Sequence, residues 1–280
     1  MDQNVESIAC PYCSADDAAF WAEENGFTAV KCNPCGFIYV NPRPAKSIIK
    51  DAVETGYHME LPDQKSAVAR RIPWRIGEYR RVFKKMYSDV WAARQPISWL
   101  DIGAGYGEVV EAVISIAPKG SVVEGVEPMK PKARVAKELG LPVHNGYLKE
   151  LTKRYDFVSL VHVFSHIADF RSFLEDIKTV LNEGGQFYFE TGNAADLKSR
   201  FEVPTELDLP DHLTFAGKAH IIGFLEQAGF KVVQLDEIRR DGLINFAKNI
   251  VKKLIGRNVH LRIPYTSGHR AIRVRARLVR

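Results

Sequence analysis

The feature that constrains this chain most is a short turn with three glycines at alternate positions. Residues 97–107 read ISWLDIGAGYG, so an apolar, β-type run ends at Asp101 and is followed by Gly103, Gly105 and Gly107. Glycine accepts positive φ angles and has no Cβ, so a ligand can approach the bare backbone of such a turn. Apolar residues then recur at helical spacing. The segment therefore predicts a strand, a ligand-binding turn and a helix, in that order.

The ligand predicted for this turn is a nucleoside without phosphate. Glu108 stands where a dinucleotide fingerprint has its third glycine, and a carboxylate there would repel phosphate at the helix N-terminus. A second apolar run ends at Glu127, 24 residues after Gly103, and Pro128 breaks it. An acid at the end of the neighbouring strand is placed to accept hydrogen bonds from both hydroxyls of a ribose.

These motifs resemble those of the class I S-adenosylmethionine-dependent methyltransferases. The first family motif matches Asp101-x-Gly103-x-Gly105-x-Gly107, and the second ends in an acid, as Glu127 does here. Residues 155–170 resemble the family's fourth strand and the segment after that strand. Residues 181–190 resemble its turn into the fifth strand, with Glu183 in place of the usual proline.

The resemblance covers residues 97–235 and implies an α/β fold with a doubly wound, seven-stranded Rossmann-like sheet. It also implies S-adenosylmethionine as the cofactor. The residues that it assigns to cofactor binding are Asp101, Gly103, Gly105, Gly107, Glu127 and, at the end of the fourth strand, His162.

Four cysteines near the N-terminus predict a structural zinc site. Cys10, Cys13, Cys32 and Cys35 form two Cys-x-x-Cys pairs separated by eighteen residues. Disulfides are rare in a reducing cytosol, and four thiolates at this spacing are typical of tetrahedral zinc. A redox-active pair is the alternative, but that chemistry needs only one of the two pairs. We expect residues 27–30 and 37–40 to pair as strands of a zinc ribbon.

Composition places the chain among ordinary globular proteins, with 46% apolar and 26% charged residues in 280. The first residues, MDQNVE, are acidic and polar, so no signal peptide is predicted. No run of apolar residues reaches the length of a membrane span. We therefore expect a cytoplasmic protein.

Three regions are predicted along the chain. A zinc ribbon occupies residues 1–44 and ends in the stiff segment NPRP, and a helical lid or linker occupies residues 45–95, with Tyr57 and Arg75 as candidate lid contacts. The methyltransferase domain occupies residues 96–280. In its last strand, residues 271–278, apolar and basic side chains alternate, which predicts one face in the core and one in water.

A basic amphipathic insertion is predicted at about residues 240–266. Apolar residues recur at helical spacing over residues 243–255, with a lysine face, and residues 236–280 contain twelve Lys or Arg against three Asp or Glu. Such a region can bind nucleic acid, an anionic lipid surface or a phosphorylated substrate. The alternative is a helix docked on its own sheet with a solvated lysine face.

Histidines are the candidate catalytic residues, because methyl transfer to a hydroxyl or carbon needs a proton acceptor near neutral pH. His212 and His166 are predicted to be catalytic, since both follow strands at the edge where open α/β sheets bind ligands. In zinc-ribbon methyltransferases that act on sugars, a histidine ahead of an aromatic residue serves as the base, much as His212 precedes Phe215. A structural role is the alternative for each histidine.

The predicted function is S-adenosylmethionine-dependent methylation of a hydroxyl or carbon on a small polar molecule, such as a sugar, a nucleotide sugar or a glycan. One alternative is an RNA methyltransferase that reads RNA with its ribbon; acidic residues around the first cysteine pair, such as Asp16, Asp17 and Glu23, make nucleic acid an unfavourable partner. Another alternative is a binding module on a methyltransferase fold without turnover.

Overall fold

The computed structural model describes residues 4–56, 71–203, 206–239, 242–256, 261 and 266–279. The candidate lid contact Tyr57 lies outside these residues. The strands are β1 (Val5–Glu6), β2 (Ala18–Glu24), β3 (Phe27–Cys32), β4 (Ile38–Val40), β5 (Arg43–Pro44), β6 (Ser98–Ile102), β7 (Val122–Glu127), β8 (Val143–Asn145), β9 (Tyr155–Val161), β10 (Leu181–Gly192), β11 (Thr214–Phe215), β12 (Phe230–Arg239) and β13 (Arg270–Leu278). The helices are α1 (Lys46–Thr55), α2 (Pro73–Met86), α3 (Ser88–Ala93), α4 (Glu108–Ile114), α5 (Lys130–Glu138), α6 (Phe170–Thr179), α7 (Lys218–Gln227) and α8 (Leu243–Leu254).

A seven-stranded sheet forms the centre of the molecule, in the order β12-β13-β10-β9-β6-β7-β8. Neighbouring strands from β10 to β8 are parallel, whereas β13 runs antiparallel to both β10 and β12. The chain reverses its direction of travel across the sheet after β8, which opens a crevice at the carboxyl ends of β6 and β9. The predicted α/β fold class, a doubly wound Rossmann-like sheet, is confirmed.

A second sheet, in the order β11-β4-β3-β2, joins the cysteine-containing segment to the rest of the chain. The predicted pairing of residues 27–30 with 37–40 is confirmed, because Val30 lies opposite Tyr39. Unexpectedly, β11 comes from the segment between β10 and α7 and pairs with β4, Thr214 opposite Tyr39. The N-terminal sheet therefore includes a strand that belongs to the methyltransferase part of the sequence.

Helices cover both faces of the large sheet. On one face, Phe83 and Tyr87, from the segment predicted as a lid, pack against Trp99 and Tyr188 of the sheet. On the other face, Phe37, just before β4, joins the same cluster as Phe224 of α7. Segments that precede β6 in the sequence therefore contribute to the core on both faces of the sheet.

The prediction for the last strand is wrong. In β13, Arg273 and Arg275 are buried, at 7% and 6% exposure, although the alternating pattern predicts a solvated basic face. The reason is that α2 and α3 cover this face and supply acids: Arg273 pairs with Glu78 and Arg275 with Asp89. Basic residues in an alternating strand can thus face a polar, paired interior as well as water.

The predicted amphipathic insertion is a helix over Leu243–Leu254. Its exposed apolar residues include Leu243, Val251 and Leu254, at 63%, 58% and 81% exposure, which does not fit a helix docked on its own sheet. Within the described residues, no helix combines the length and apolar character needed to cross a membrane.

Candidate functional site

The glycine turn joins β6 to α4 at the carboxyl edge of the large sheet. Gly103, at φ +67°, lies directly under the segment after β9, since a Cβ there would come within 2.4 Å of a Val163 methyl carbon. Gly105, at φ +55°, has open space where its Cβ would be. Of these two glycines, only Gly105 leaves room for a ligand. Glycine is required at position 103 because a side chain there would clash with Val163. Gly107 resembles Gly103, because its Cβ would meet a methyl carbon of Leu141.

Glu127 ends β7 beside this turn. Its side chain accepts hydrogen bonds from the backbone N–H of Gly105 at 2.7 Å and of Met129 at 2.8 Å, one on each carboxylate oxygen. Burial raises the pKa of Glu127, while these two N–H donors oppose the shift. Each oxygen has a second acceptor position, so the fixed carboxylate can also accept the two hydroxyls of a ribose.

Asp101 lies beneath the turn, 2% exposed, and accepts a hydrogen bond from the Ser159 hydroxyl at 2.5 Å. Burial raises the pKa of Asp101 to about 8. The hydrogen bond from Ser159 ties the end of β6, just before the turn, to β9.

His162 follows β9 with the positive φ of 58°, which is uncommon for a residue other than glycine. Its Nε2 lies 3.5 Å from the carboxylate of Glu190, which is fully buried. Burial opposes ionisation of Glu190, but the charges of His162 and Arg273 and a hydrogen bond donated by Tyr188 lower its pKa. Sequence reasoning missed Glu190, although an acid near the end of the apolar strand β10 is a signal that could have found it.

His166 forms a hydrogen-bonded pair with Asp211. Its Nδ1 lies 2.9 Å from the backbone oxygen of Asp211 and 3.1 Å from the carboxylate, so Nδ1 carries the proton and Nε2 is the free acceptor. Burial alone would lower the pKa of His166, but the hydrogen bond and charge of Asp211 raise it above the ordinary value. Sequence reasoning missed the role of Asp211, which precedes His212 in the chain but bonds to His166.

His212 is close to His166, with ring centroids 4.8 Å apart, but has the opposite electrostatic setting. Its Nδ1 donates to the backbone oxygen of Leu207 at 2.7 Å. Burial, then the charge of His166, lowers the pKa of His212 to about 4. The ring is therefore neutral near pH 7, with a free lone pair on Nε2 that can accept a hydrogen bond from a substrate.

The arrangement of His166, Asp211 and His212 suits proton transfer better than it suits binding of a metal ion. The ligand atoms of His166, Asp211 and His212 lie within 4.8 Å of one another. However, the Asp211 carboxylate bonds to the Nδ1–H of His166, which places it behind the ring rather than beside the free Nε2. That is the arrangement of an acid that orients a base.

The tip of the N-terminal sheet holds the loop that carries Asp211 and His212. The Glu24 carboxylate accepts the backbone N–H of Leu207 at 2.9 Å and of Asp208 at 2.6 Å, and the Asn25 side chain donates to the oxygen of Leu209 at 2.7 Å. On the opposite side, the N–H of Leu213 donates to the oxygen of Ser165 at 2.7 Å. The loop is thus fixed between the two sheets, a role that the sequence did not suggest for Glu24.

The four cysteines meet at the predicted metal position. Cys10 and Cys35 sulfurs are 3.6 Å apart, Cys13 and Cys32 sulfurs are 3.5 Å apart, and all four lie within 4.8 Å. Zinc–sulfur bonds of about 2.3 Å in a tetrahedron place sulfurs roughly 3.8 Å apart, so the donor set fits a tetrahedral ion. No pair is joined in a disulfide.

The sheet order and the glycine turn at its edge define the class of this protein, a Rossmann-like α/β domain. A family model described as a methyltransferase domain matches residues 74–235, more than half of the chain, and the chain belongs to this family. The predicted class of enzyme, a methyltransferase of the S-adenosylmethionine-dependent type, is confirmed at the level of the family.

A further likeness concerns one curated protein. The ubiquinone biosynthesis O-methyltransferase of Pseudoalteromonas translucida (strain TAC 125) is 26% identical over 151 residues, which cover 48% of this chain and 63% of that protein. The chain thus spans less than two thirds of the length of this curated relative.

Among solved structures, a protein from Pyrococcus horikoshii OT3 has a TM-score of 0.50 at 13% identity, over 72% of this chain and 92% of that one, which shows a shared fold. The magnesium protoporphyrin IX methyltransferase of Synechocystis PCC 6803, with bound SAH, has a TM-score of 0.48 at 12% identity, over 73% of this chain and 83% of that chain.

Proposed function

We propose that the chain transfers the methyl group of S-adenosylmethionine to a hydroxyl or carbon of a small polar molecule, with a sugar, nucleotide sugar or glycan as the substrate class. The observation that carries this proposal is a juxtaposition at one sheet edge. The fixed carboxylate of Glu127 and the open backbone at Gly105 lie at the same edge as the paired His166 and Asp211.

The residues proposed for the cofactor are those predicted from the sequence. Glu127 binds the ribose hydroxyls, Gly105 gives the cofactor access to bare backbone, and Asp101, Gly103 and Gly107 shape the turn. His162, held against Glu190, borders the same pocket. When bound, the cofactor supplies an electrophilic methyl on a sulfonium, so the protein needs to position the acceptor and receive a proton.

His166 is the proposed proton acceptor. Asp211 holds the proton on Nδ1 and favours the charged ring, so Nε2 can take a proton from the acceptor atom while the new bond to the methyl carbon forms and the carbon–sulfur bond breaks. The neutral His212 beside it is proposed to accept a hydrogen bond through Nε2 from a second hydroxyl of the substrate. The pKa of about 4 makes His212 the weaker base of the two.

Two observations support the substrate class. The curated relative is named as an O-methyltransferase, which favours a hydroxyl as acceptor. The cysteine-rich segment followed by NPRP at residues 41–44 resembles sugar-modifying methyltransferases, and its tip touches the loop that carries His212. The cysteines are proposed to hold one structural zinc ion that keeps this segment in place.

The test is methyl transfer from labelled S-adenosylmethionine to a panel of nucleotide sugars, phenols and total RNA. We expect label in a small acceptor, and we expect His166→Ala to lower turnover by roughly a hundredfold, the usual scale for a lost general base. Label in RNA alone would favour the RNA alternative. Tight cofactor binding with no transfer to any acceptor in a broad panel would favour the binding-module alternative.

A further inference from the structure

The helix α8 presents an apolar stripe to solvent. None of its described side chains is buried, and Leu243, Val251 and Leu254 are 58% exposed or more. At 3.6 residues per turn these three residues fall within about 80° of one another on the helix surface. Ile255, just after the helix, is 67% exposed and extends the stripe.

Lysines border this stripe. Lys248 and Lys253 lie on either side of it, Lys252 lies nearly opposite, and the helix contains no acidic residue. An amphipathic helix of this composition is suited to the boundary between lipid headgroups and acyl chains, where the aliphatic stripe enters the bilayer and the lysines meet anionic headgroups.

The position of α8 in the fold adds a second observation. The chain leaves the large sheet after Arg239, at the end of β12, and returns at Arg270, the start of β13, and these two residues lie opposite each other. Ala271 lies opposite Gly192, at the end of β10. The insertion therefore leaves and re-enters at the carboxyl edge of the parallel strands, the edge that carries Glu127 and His162.

We propose that α8 docks this protein on an anionic phospholipid bilayer and thereby turns the ligand-binding edge of the sheet toward the membrane surface. Charge complementarity favours this occupant over a second copy of the chain, because pairing two such helices would bring lysines together without acids. The exposed aliphatic residues favour a bilayer over RNA, because lysines alone would be enough to bind RNA. The proposal is independent of the methyl acceptor and of the proposed function.

The experiment is flotation of the full chain with vesicles of phosphatidylcholine alone and of phosphatidylcholine mixed with phosphatidylglycerol. We expect binding to the mixed vesicles only, weakened by salt. Leu254→Asp should abolish it. Each lysine near an anionic surface is worth roughly fivefold in affinity, so the triple change Lys248→Gln, Lys252→Gln, Lys253→Gln should weaken it on the order of a hundredfold.

Leu139→Asp is the matched control, because Leu139 is an exposed leucine, at 48%, just after α5. It should bind like the parent, and all variants should melt at the parent's temperature. Absence of binding to the mixed vesicles would overturn the proposal, as would equal binding by Leu254→Asp. Concentration-dependent dimers abolished by Leu254→Asp, or RNA binding abolished by the lysine changes, without vesicle binding, would assign the surface to a second copy or to RNA instead.

Discussion

Among the single residues of the site, His166 and His212 show how different surroundings give two histidines different acid–base properties. His166 and His212 are in ring contact, yet Asp211 raises the pKa of His166, whereas burial and the His166 charge lower the pKa of His212 to about 4. Pairs of titratable groups with diverging pKa values are typical of acid–base sites. The difference between the two rings therefore depends on Asp211 for His166 and on burial for His212.

Replacing Asp211 by Asn tests that dependence. In the parent, the raised pKa keeps His166 protonated, and unable to accept a proton, up to a pH above its ordinary value of 6.5, so turnover should fall as the pH drops through that raised pKa. Asp211→Asn removes the opposite charge, so the pKa of His166 should fall and the acidic limb of the pH–rate profile should move to lower pH. NMR titration of the histidine ring protons measures the same shift without a substrate. An unchanged pKa of His166 would show that Asp211 does not tune it.

Some of these residues were readable from the sequence, and others were not. Asp101, the three glycines and Glu127 belong to local motifs whose spacing alone is informative. Asp211 is adjacent to His212 but bonds to His166, 45 positions away, because the loop folds back across the sheet edge. No local pattern encodes such a contact.

At the scale of elements, the N-terminal sheet and the loop after β10 form one structure. β11 is a strand of that sheet, and Glu24 and Asn25 at its tip bond to Leu207, Asp208 and Leu209. His220 of α7 lies in hydrogen-bond range of the Cys35 backbone oxygen, at 2.9 Å. The cysteine-containing segment is thus fitted to support the loop that carries His212.

The change Glu24→Ala should loosen that loop. It removes two charge-assisted hydrogen bonds to Leu207 and Asp208, so we expect faster hydrogen exchange at these two amides and at least a tenfold loss of turnover, with cofactor affinity retained. The matched control is Glu23→Ala, which removes an exposed carboxylate from the same strand. Equal exchange and turnover in both variants would show that Glu24 does not position the loop.

Removal of the metal should also loosen the loop that carries His212. Purified protein should carry about one zinc per chain, and chelation should raise hydrogen exchange in residues 10–40 and also at Thr214 and Phe215, because β11 pairs with β4. Exchange measured by mass spectrometry before and after chelation checks this. Loosening confined to the residues before 45 would mean that the two parts are independent.

Most helices and strands could be predicted from the sequence, and the exception is β11. Strands and helices with clear periodicity, such as β6, α4, β9 and α8, appear where the pattern predicts them. β11 has two residues and exists only because β4, 175 positions earlier, offers it an edge. Its pairing is a tertiary event without a sequence signal of its own.

In the molecule as a whole, segments that precede β6 in the sequence help to cover both faces of the large sheet. The helices α2 and α3 cover one face of β13 and pair with Arg273 and Arg275, and Phe37, just before β4, packs against Phe224 of α7 at the opposite face. The alternation of apolar and basic residues in β13 shows only that the two kinds of side chain point to opposite faces of the sheet. It does not show whether another segment covers the basic face. The cover over each face comes from distant segments.

The edge between Gly105 and Glu127 is proposed to bind the nucleoside part of S-adenosylmethionine, and calorimetry with S-adenosylhomocysteine measures this binding. The parent should bind, and Glu127→Ala should weaken binding by about 1.5–3 kcal/mol through loss of hydrogen bonds to a carboxylate. Glu138→Ala, an exposed change on α5, should leave affinity unchanged. No binding by the parent, or unchanged affinity in Glu127→Ala, would show that the cofactor does not bind at this edge.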